Sequence, residues 1–338
     1  MAGIHRYLME IRALDYHTAG EPLRIITEGL PEPGGTTILE RRRYMQANLD
    51  AYRRLLMWEP RGHADMYGAV LAPPEKPDGD VGVLFLHNEG YSTMCGHGII
   101  AMVTAGLEHG LFEVCDPKAI RIDSPAGRIT ACAHQDVAGK VESVSFLNVP
   151  SFVLEPKLEV NVEGQAVECT IAFGGAFYAY LDAAAFDFHL DAAEAPEVIR
   201  LGQEIKEAVN AEFEILHPDG DEDLNFLYGT IFVRAGQNPR HSRNACVFAQ
   251  AELDRSPTGT GVSGRAAIHY ARGDIGLHEE LVIESIIGSE FRVHCVEETQ
   301  VGPYPAIVPE VAGSAHMTGE HRFTLDESDP LKYGFLVR

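Results

Sequence analysis

Cys95-Gly96-His97-Gly98 opens a run, residues 97–108, that is almost wholly small or apolar: Ile99, Ile100, Ala101, Met102, Val103, Ala105, Leu107. This stretch decides the fold because it occurs twice. Thr258-Gly259-Thr260-Gly261 repeats it at an offset of 258 − 95 = 163, and residues 262–271 supply the second run. Each run ends at a glycine the same distance on, since 110 − 95 and 273 − 258 both equal 15. That spacing fits helices closed by a left-handed C-cap glycine. A helix without a polar face has nothing to offer water, so both are predicted to be buried. Strand-like segments follow each helix, Ile122-Asp123-Ser124-Pro125-Ala126-Gly127 and Ile283-Glu284-Ser285-Ile286-Ile287-Gly288, at an offset of 161. A strand, a Gly-rich turn, a buried helix and another strand therefore recur, which predicts two pseudo-equivalent halves with the active site between them.

Around these repeats, β-like runs recur at residues 81–86, 141–149, 170–180, 229–234, 281–285 and 291–296. Residues 39–57 and 196–213 carry apolar side chains at helical spacing (Val198, Leu201, Ile205, Val209 in the second), as surface helices packed by one face do. The expected class is α/β (α+β), dominated by strands. The length, 338 residues, allows two domains at roughly 100 to 200 residues each. The division expected is 1–155 plus 309–338 for the half with Cys95, and 156–308 for the half with Asp254 and Thr258.

Fifty acidic against 27 basic residues leave a formal charge of −23, a field that repels phosphate backbones and anionic bilayers. Nucleic acid and membrane are thus not expected partners. No window approaches the roughly 18 uninterrupted apolar residues of a membrane span, and Met1-Ala2-Gly3-Ile4-His5-Arg6 lacks the pattern of a secretory signal. The six cysteines (Cys95, Cys115, Cys132, Cys169, Cys246, Cys295) are scattered singly, as reduced thiols of a cytoplasmic protein would be.

Gly-rich turns at helix N-termini leave backbone N–H groups unpaired, and two such ends facing one cleft suit a carboxylate. Cys95 starts its helix, where the macrodipole is expected to lower the thiol pKa and yield a usable base; the other five cysteines read as small core hydrophobes. His97 is a candidate partner for ligand or thiolate. Asp254 is delivered beside the second turn, placed either to meet an ammonium or imino nitrogen or to make an Asx-type turn. Thr258 fills the slot equivalent to Cys95, and its hydroxyl does not ionise near neutral pH. Residues 259–264 also satisfy Gly-x-Gly-x-x-Gly, but residues 250–257 separate them from the preceding strand, unlike a dinucleotide fingerprint. Neither His278-Glu279-Glu280 nor Cys95-x-His97 has metal-ligand spacing, so no metal site is expected.

At these residues the chain resembles the proline racemase family, which shares its fold with diaminopimelate epimerase. The resemblance rests on His17-Thr18-Ala19-Gly20-Glu21-Pro22, Glu59-Pro60-Arg61-Gly62-His63, Met94-Cys95-Gly96-His97-Gly98, Asn148-Val149-Pro150-Ser151-Phe152, Ala172-Phe173-Gly174-Gly175, residues 254–261 and Pro309-Glu310-Val311-Ala312-Gly313-Ser314-Ala315, in order along nearly the whole chain. It implies two halves, each a curved, barrel-like sheet around a central helix, with residues 309–338 returning to the first half. In such racemases two cysteines flank the substrate Cα. Threonine at position 258 resembles the branch that dehydrates trans-3-hydroxy-L-proline. The resemblance further implies Cys95 as the catalytic base opposite Thr258, a carboxylate held at Gly96, His97, Gly259 and Thr260, the ring nitrogen at Asp254, and Tyr67 and Phe248 covering the ring. It implies a small-molecule substrate, no cofactor and a homodimer. The alternatives are a proline racemase or hydroxyproline 2-epimerase, using Thr258 or an ordered water on the second face, and a non-catalytic amino-acid-binding module.

Overall fold

A computed structural model describes residues 9–218, 222–236, 238 and 240–337. The N-terminal hexapeptide read above lies outside them. Among the described residues, eighteen strands form one continuous sheet that curls into two units. In the first, Met9–Thr18, Glu21–Glu28, Tyr67–Ala72, Val81–His87, Ile120–Ser124, Gly127–Gln135 and Val141–Leu147 pair successively. Those six pairings run antiparallel, parallel, antiparallel, parallel, antiparallel, antiparallel. From Gln165–Phe173 through Phe177–Asp182, Leu227–Ala235, His241–Phe248, Glu280–Glu284 and Glu290–Val301 to Tyr304–Gly313, the second unit repeats that order. Ser151–Val162 pairs with both ends of this series and closes an eight-stranded barrel.

Parallel neighbours require long crossovers, and each unit has two. One of each pair is an outer amphipathic helix. In the second unit this is Ala195–Glu212, which buries Val198, Leu201, Ile205 and Val209. In the first it is Ile38–Tyr44 and Asp50–Met57 joined by a π-turn over Met45–Leu49. The other crossover is a central helix inside the curl, Gly96–His109 or Gly259–Arg272. Both central helices end on left-handed glycines, Gly110 at φ 63° and Gly273 at φ 75°. The first is buried from Gly96 to Gly106. The second is less uniformly apolar than its first residues suggest: buried Arg265 is held by Ser242 Oγ at 2.8 Å and Asn244 Oδ1 at 2.9 Å, and Tyr270–Arg272 reach the surface side. The run expected at 170–180 is two antiparallel strands, broken where Gly175 takes φ 104°.

Strand Tyr304–Gly313 is common to both units. It pairs along its length with Glu290–Val301 and, from Glu310 to Gly313, with Val141–Leu147. After Ser314 the chain pairs Ala315–Leu325 with Met9–Thr18. This shared strand binds the two curls into one sheet and brings their central helices end to end.

Candidate active site

The N-termini of the central helices meet at two glycines. A Cβ placed on Gly96 would lie 2.5 Å from the Gly259 Cα, and one placed on Gly259 would lie 2.5 Å from the Gly96 Cα. Only glycine permits this approach. It brings Cys95, Gly96, His97, Asp254, Thr258, Gly259 and Thr260 around one small cavity of about 20 Å³, room for about one water. Among the described residues no acceptor of the chain takes the amides of Gly96, His97, Gly259 and Thr260. They are the unpaired first-turn donors of two helices, aimed at one point.

Cys95 caps the first helix from extended backbone, with its Sγ accepting the Gly98 N–H at 3.2 Å. The two ring nitrogens of His97 lie 3.3 and 3.6 Å from the same sulfur. Burial pushes the thiol well above its ordinary value; the Gly98 amide opposes this, while Asp254 and Glu21 reinforce it. The expected dipole-lowered thiol is therefore corrected: in the closed cleft, desolvation and two nearby carboxyl groups outweigh the helix end. Burial lowers His97 to about 4, so its imidazole is neutral at pH 7. The Pro22 backbone opposes this shift, and the His97 carbonyl accepts from Thr18 Oγ1 at 2.9 Å.

The second helix starts differently. Thr258 has φ 68° and ψ 99°, a backbone region costly for a β-branched residue. Its hydroxyl donates to Asp254 Oδ2 at 2.8 Å, and Asp254 Oδ1 accepts the Ser256 N–H at 2.7 Å. The Asx-type turn and the delivery of a carboxylate to the cavity are thus features of one residue. Burial pushes the nearby Cys246 thiol well up, with Asp254 reinforcing this and Thr258 opposing it. Its sulfur is not part of the cavity wall.

Tyr67 and Phe248 line the cavity as expected, with ring centroids 6.1 Å apart. Tyr228 joins them in the cavity wall; its hydroxyl is 3.2 Å from that of Tyr67, and its ring is 5.5 Å from Phe248. Tyr67 also hydrogen-bonds Ser92, and Tyr178 hydrogen-bonds the Thr260 hydroxyl at 2.7 Å. Tyr228 and Tyr178 escaped the sequence reading, although the repeat pointed to Tyr228: Tyr67-Gly68 and Tyr228-Gly229 are also 161 residues apart. Tyr178 had no signal beyond its strand. Glu21, quoted only as part of a motif, lies fully buried beside the second turn, and its Oε2 accepts the Arg255 N–H at 2.8 Å.

The third glycine of Gly-x-Gly-x-x-Gly serves packing. Tyr180 donates to the Gly261 carbonyl at 2.8 Å, and a Cβ on Gly264 would sit 2.2 Å from that phenolic oxygen. Metal-ligating side chains gather, among the described residues, at His241, Glu284 and Glu290. Glu284 is there engaged by Arg243 Nη2 at 2.7 Å, and none of the three lines the Cys95 cavity. No helix of the described residues is long and apolar enough to cross a membrane.

The proline racemase family model matches residues 13–336. A trans-3-hydroxy-L-proline dehydratase of Burkholderia ambifaria is 46% identical, over 97% of this chain and 98% of its own. A 3-hydroxyproline 2-epimerase of Burkholderia multivorans is also 46% identical, with the same coverage of both chains. A solved hydroxyproline epimerase from Agrobacterium vitis, with trans-4-hydroxy-L-proline bound, superposes with a TM-score of 0.92 at 27% identity, covering 98% of this chain and 97% of that one. The match over almost the full chain, and the paired turns that meet at Gly96 and Gly259, make this protein a member of the proline racemase family.

Proposed function

We propose that this chain is a cofactor-independent hydro-lyase that dehydrates trans-3-hydroxy-L-proline to 1-pyrroline-2-carboxylate. The observation that carries the reading is the inequality of the two turns. One presents a thiol, while the other presents a threonine whose hydroxyl is already given to Asp254. In the substrate the 3-hydroxyl lies across the ring from the carboxylate, on the face of the Cα hydrogen. Cys95, as thiolate, takes the Cα proton, and the thiol so formed returns it to the departing hydroxide as the C3–O bond breaks. Water leaves, the thiolate is regenerated, and the enamine tautomerises to the cyclic imine. One face supplies both the acid and the base, so the second face needs neither.

The remaining groups serve the charge that develops. Amides of Gly96, His97, Gly259 and Thr260 hold the substrate carboxylate, where electron density accumulates once the Cα proton leaves. Asp254 receives the ring nitrogen, and that positive charge also relieves the repulsion that disfavours the Cys95 thiolate. Tyr67 and Phe248, with Tyr228, cover the ring. Residues 1–155 with 309–338 thus bring the base, and 156–308 bring the carboxylate and the second turn. The free cysteines support a cytoplasmic location.

Epimerisation is the second reading, favoured by the equally similar 2-epimerase. Incubation with trans-3-hydroxy-L-proline in deuterated water separates the two. Dehydration gives a cyclic imine trapped by o-aminobenzaldehyde or reduced to proline, whereas recovery of the Cα epimer carrying deuterium, without imine, overturns the lyase.

A further inference from the structure

We propose that Glu21 is a positioning residue that holds the Asp254-Arg255 backbone of the second half in register with Cys95 and His97 of the first. The inference rests on the reading that Asp254 receives the ring nitrogen, and it assigns a task to a buried carboxyl group that the chemistry above does not use.

Glu21 follows the two-residue turn Ala19-Gly20, both at positive φ, between strands Met9–Thr18 and Glu21–Glu28. This hairpin end belongs to the first half but holds groups of both. Toward the first half, Thr18 Oγ1 donates to the His97 carbonyl at 2.9 Å. Toward the second, Ser289 Oγ donates to the Ala19 carbonyl at 2.7 Å and Arg255 N donates to Glu21 Oε2 at 2.8 Å. Arg255 is the residue after Asp254, so Glu21 fixes the peptide immediately following the carboxylate that faces the substrate.

Glu21 is 0% exposed, and its Oε1 has no hydrogen-bond partner among the described residues. An ionised carboxylate would be a costly occupant of such a position. The charged groups around it are Asp254, Asp65 and Arg255; burial and Asp254 raise its pKa more than Arg255 lowers it. Burial therefore disfavours the ionised form, while Oε2 accepts the Arg255 amide and lies 3.7 Å from the Arg255 guanidinium.

The test compares Glu21→Gln with Glu21→Met. Gln keeps a neutral acceptor, whereas Met fills similar volume without one. L-Proline lacks the 3-hydroxyl and is not dehydrated, so its Kd, read by calorimetry, reports substrate positioning separately from turnover. Gln is expected to leave the Kd, and the kcat for trans-3-hydroxy-L-proline, within about threefold of the parent with an unchanged pH profile. Met is expected to raise the Kd by about tenfold or more and kcat/KM to fall further, since a lost acceptor strands a buried N–H. Thermal melts establish that both variants are folded; if Met does not fold, Glu21→Asp, with its acceptor withdrawn by one methylene, takes its place with the same expected loss. A Kd unchanged by Met overturns the role of Glu21. A Gln variant as impaired as Met overturns the assignment to the acceptor, because the neutral amide keeps that acceptor. Absence of imine from the parent protein overturns the dehydratase reading instead, and the L-proline Kd still reads Glu21.

Discussion

The turn at Cys95 and the turn at Thr258 are made alike and used differently. Both follow a strand hairpin, open a buried crossover helix, end fourteen helical residues later on a left-handed glycine and expose first-turn amides to one point. Cys95 sits in relaxed extended backbone at φ −146°, with its sulfur over its own helix. Thr258 is held at φ 68°, with its hydroxyl turned away from its helix toward Asp254. The likeness lies in the backbone and, in the reaction proposed above, would serve the substrate's carboxylate. The difference lies in the side chains and would serve the proton, so that a symmetric frame would support chemistry on one face.

Breaking the reactive side of the comparison has the largest effect. Cys95→Ser keeps the shape but replaces the thiol with a hydroxyl that does not ionise at working pH, and imine formation is expected to fall by at least ~1,000-fold. Near-normal turnover by this variant would show that the sulfur is not the base. Making the two turns more alike comes next. Thr258→Cys places a thiol beside Asp254, whose negative charge keeps it protonated and hence a donor to the second face. Dehydration is expected to drop by about tenfold, with Cα-deuterated epimer appearing in deuterated water. If no epimer forms, the identity of residue 258 does not select the reaction.

The contact that joins the turns is the third target. Gly96→Ala would push a methyl to 2.5 Å from the Gly259 Cα, and neither backbone has another place to go. Overpacking of this kind costs about 1–3 kcal/mol, seen as a Tm lowered by several degrees, and it widens the gap between the two amide sets, raising KM. Gly110→Ala, at a position with φ 63° but open space around it, is the control: it costs stability and leaves KM alone.

How much of this was readable in the sequence follows from what repeats and what does not. The offsets of 163 and 161 residues gave the two halves, and the Tyr67 and Tyr228 pair lay in that same offset. Cys95, Thr258 and Asp254 were legible because a motif placed them at helix starts. The protonation of Cys95 was not, because the helix end that lowers a thiol pKa is local in sequence whereas the burial and the carboxyls that raise it come from residues 21 and 254. Glu21 was hidden for a related reason: its partner, the Arg255 amide, is 234 residues away. The glycines at 96 and 259 read as turn residues that leave room for a ligand's carboxylate, but that the two turns also press against each other is a property of the assembled fold. Long-range electrostatics and close approach are properties of the assembled sheet, and no spacing rule carries them.

His97 supplies the smallest effect and ties the comparison to stability. Position 260, its counterpart after Thr258, carries a threonine that does not titrate in this range, so the pH dependence enters from the first turn alone. In the unfolded chain a histidine titrates near 6.5, whereas buried His97 titrates at about 4. Between those values the unfolded state binds more protons than the folded one, so stability rises with pH across the window and is lost as pH falls from about 6.5 toward 4. From pH 7 to pH 5.5 this single group accounts for about 1 kcal/mol. Thermal melts of the parent and of His97→Gln over that interval should therefore diverge, the parent losing about one to two degrees more than the variant as the solution is acidified. Parallel melting curves would mean that His97 is protonated inside the fold. In that case the sulfur of Cys95 faces an imidazolium, and the thiolate is favoured by its neighbour instead of waiting for the substrate's nitrogen to neutralise Asp254.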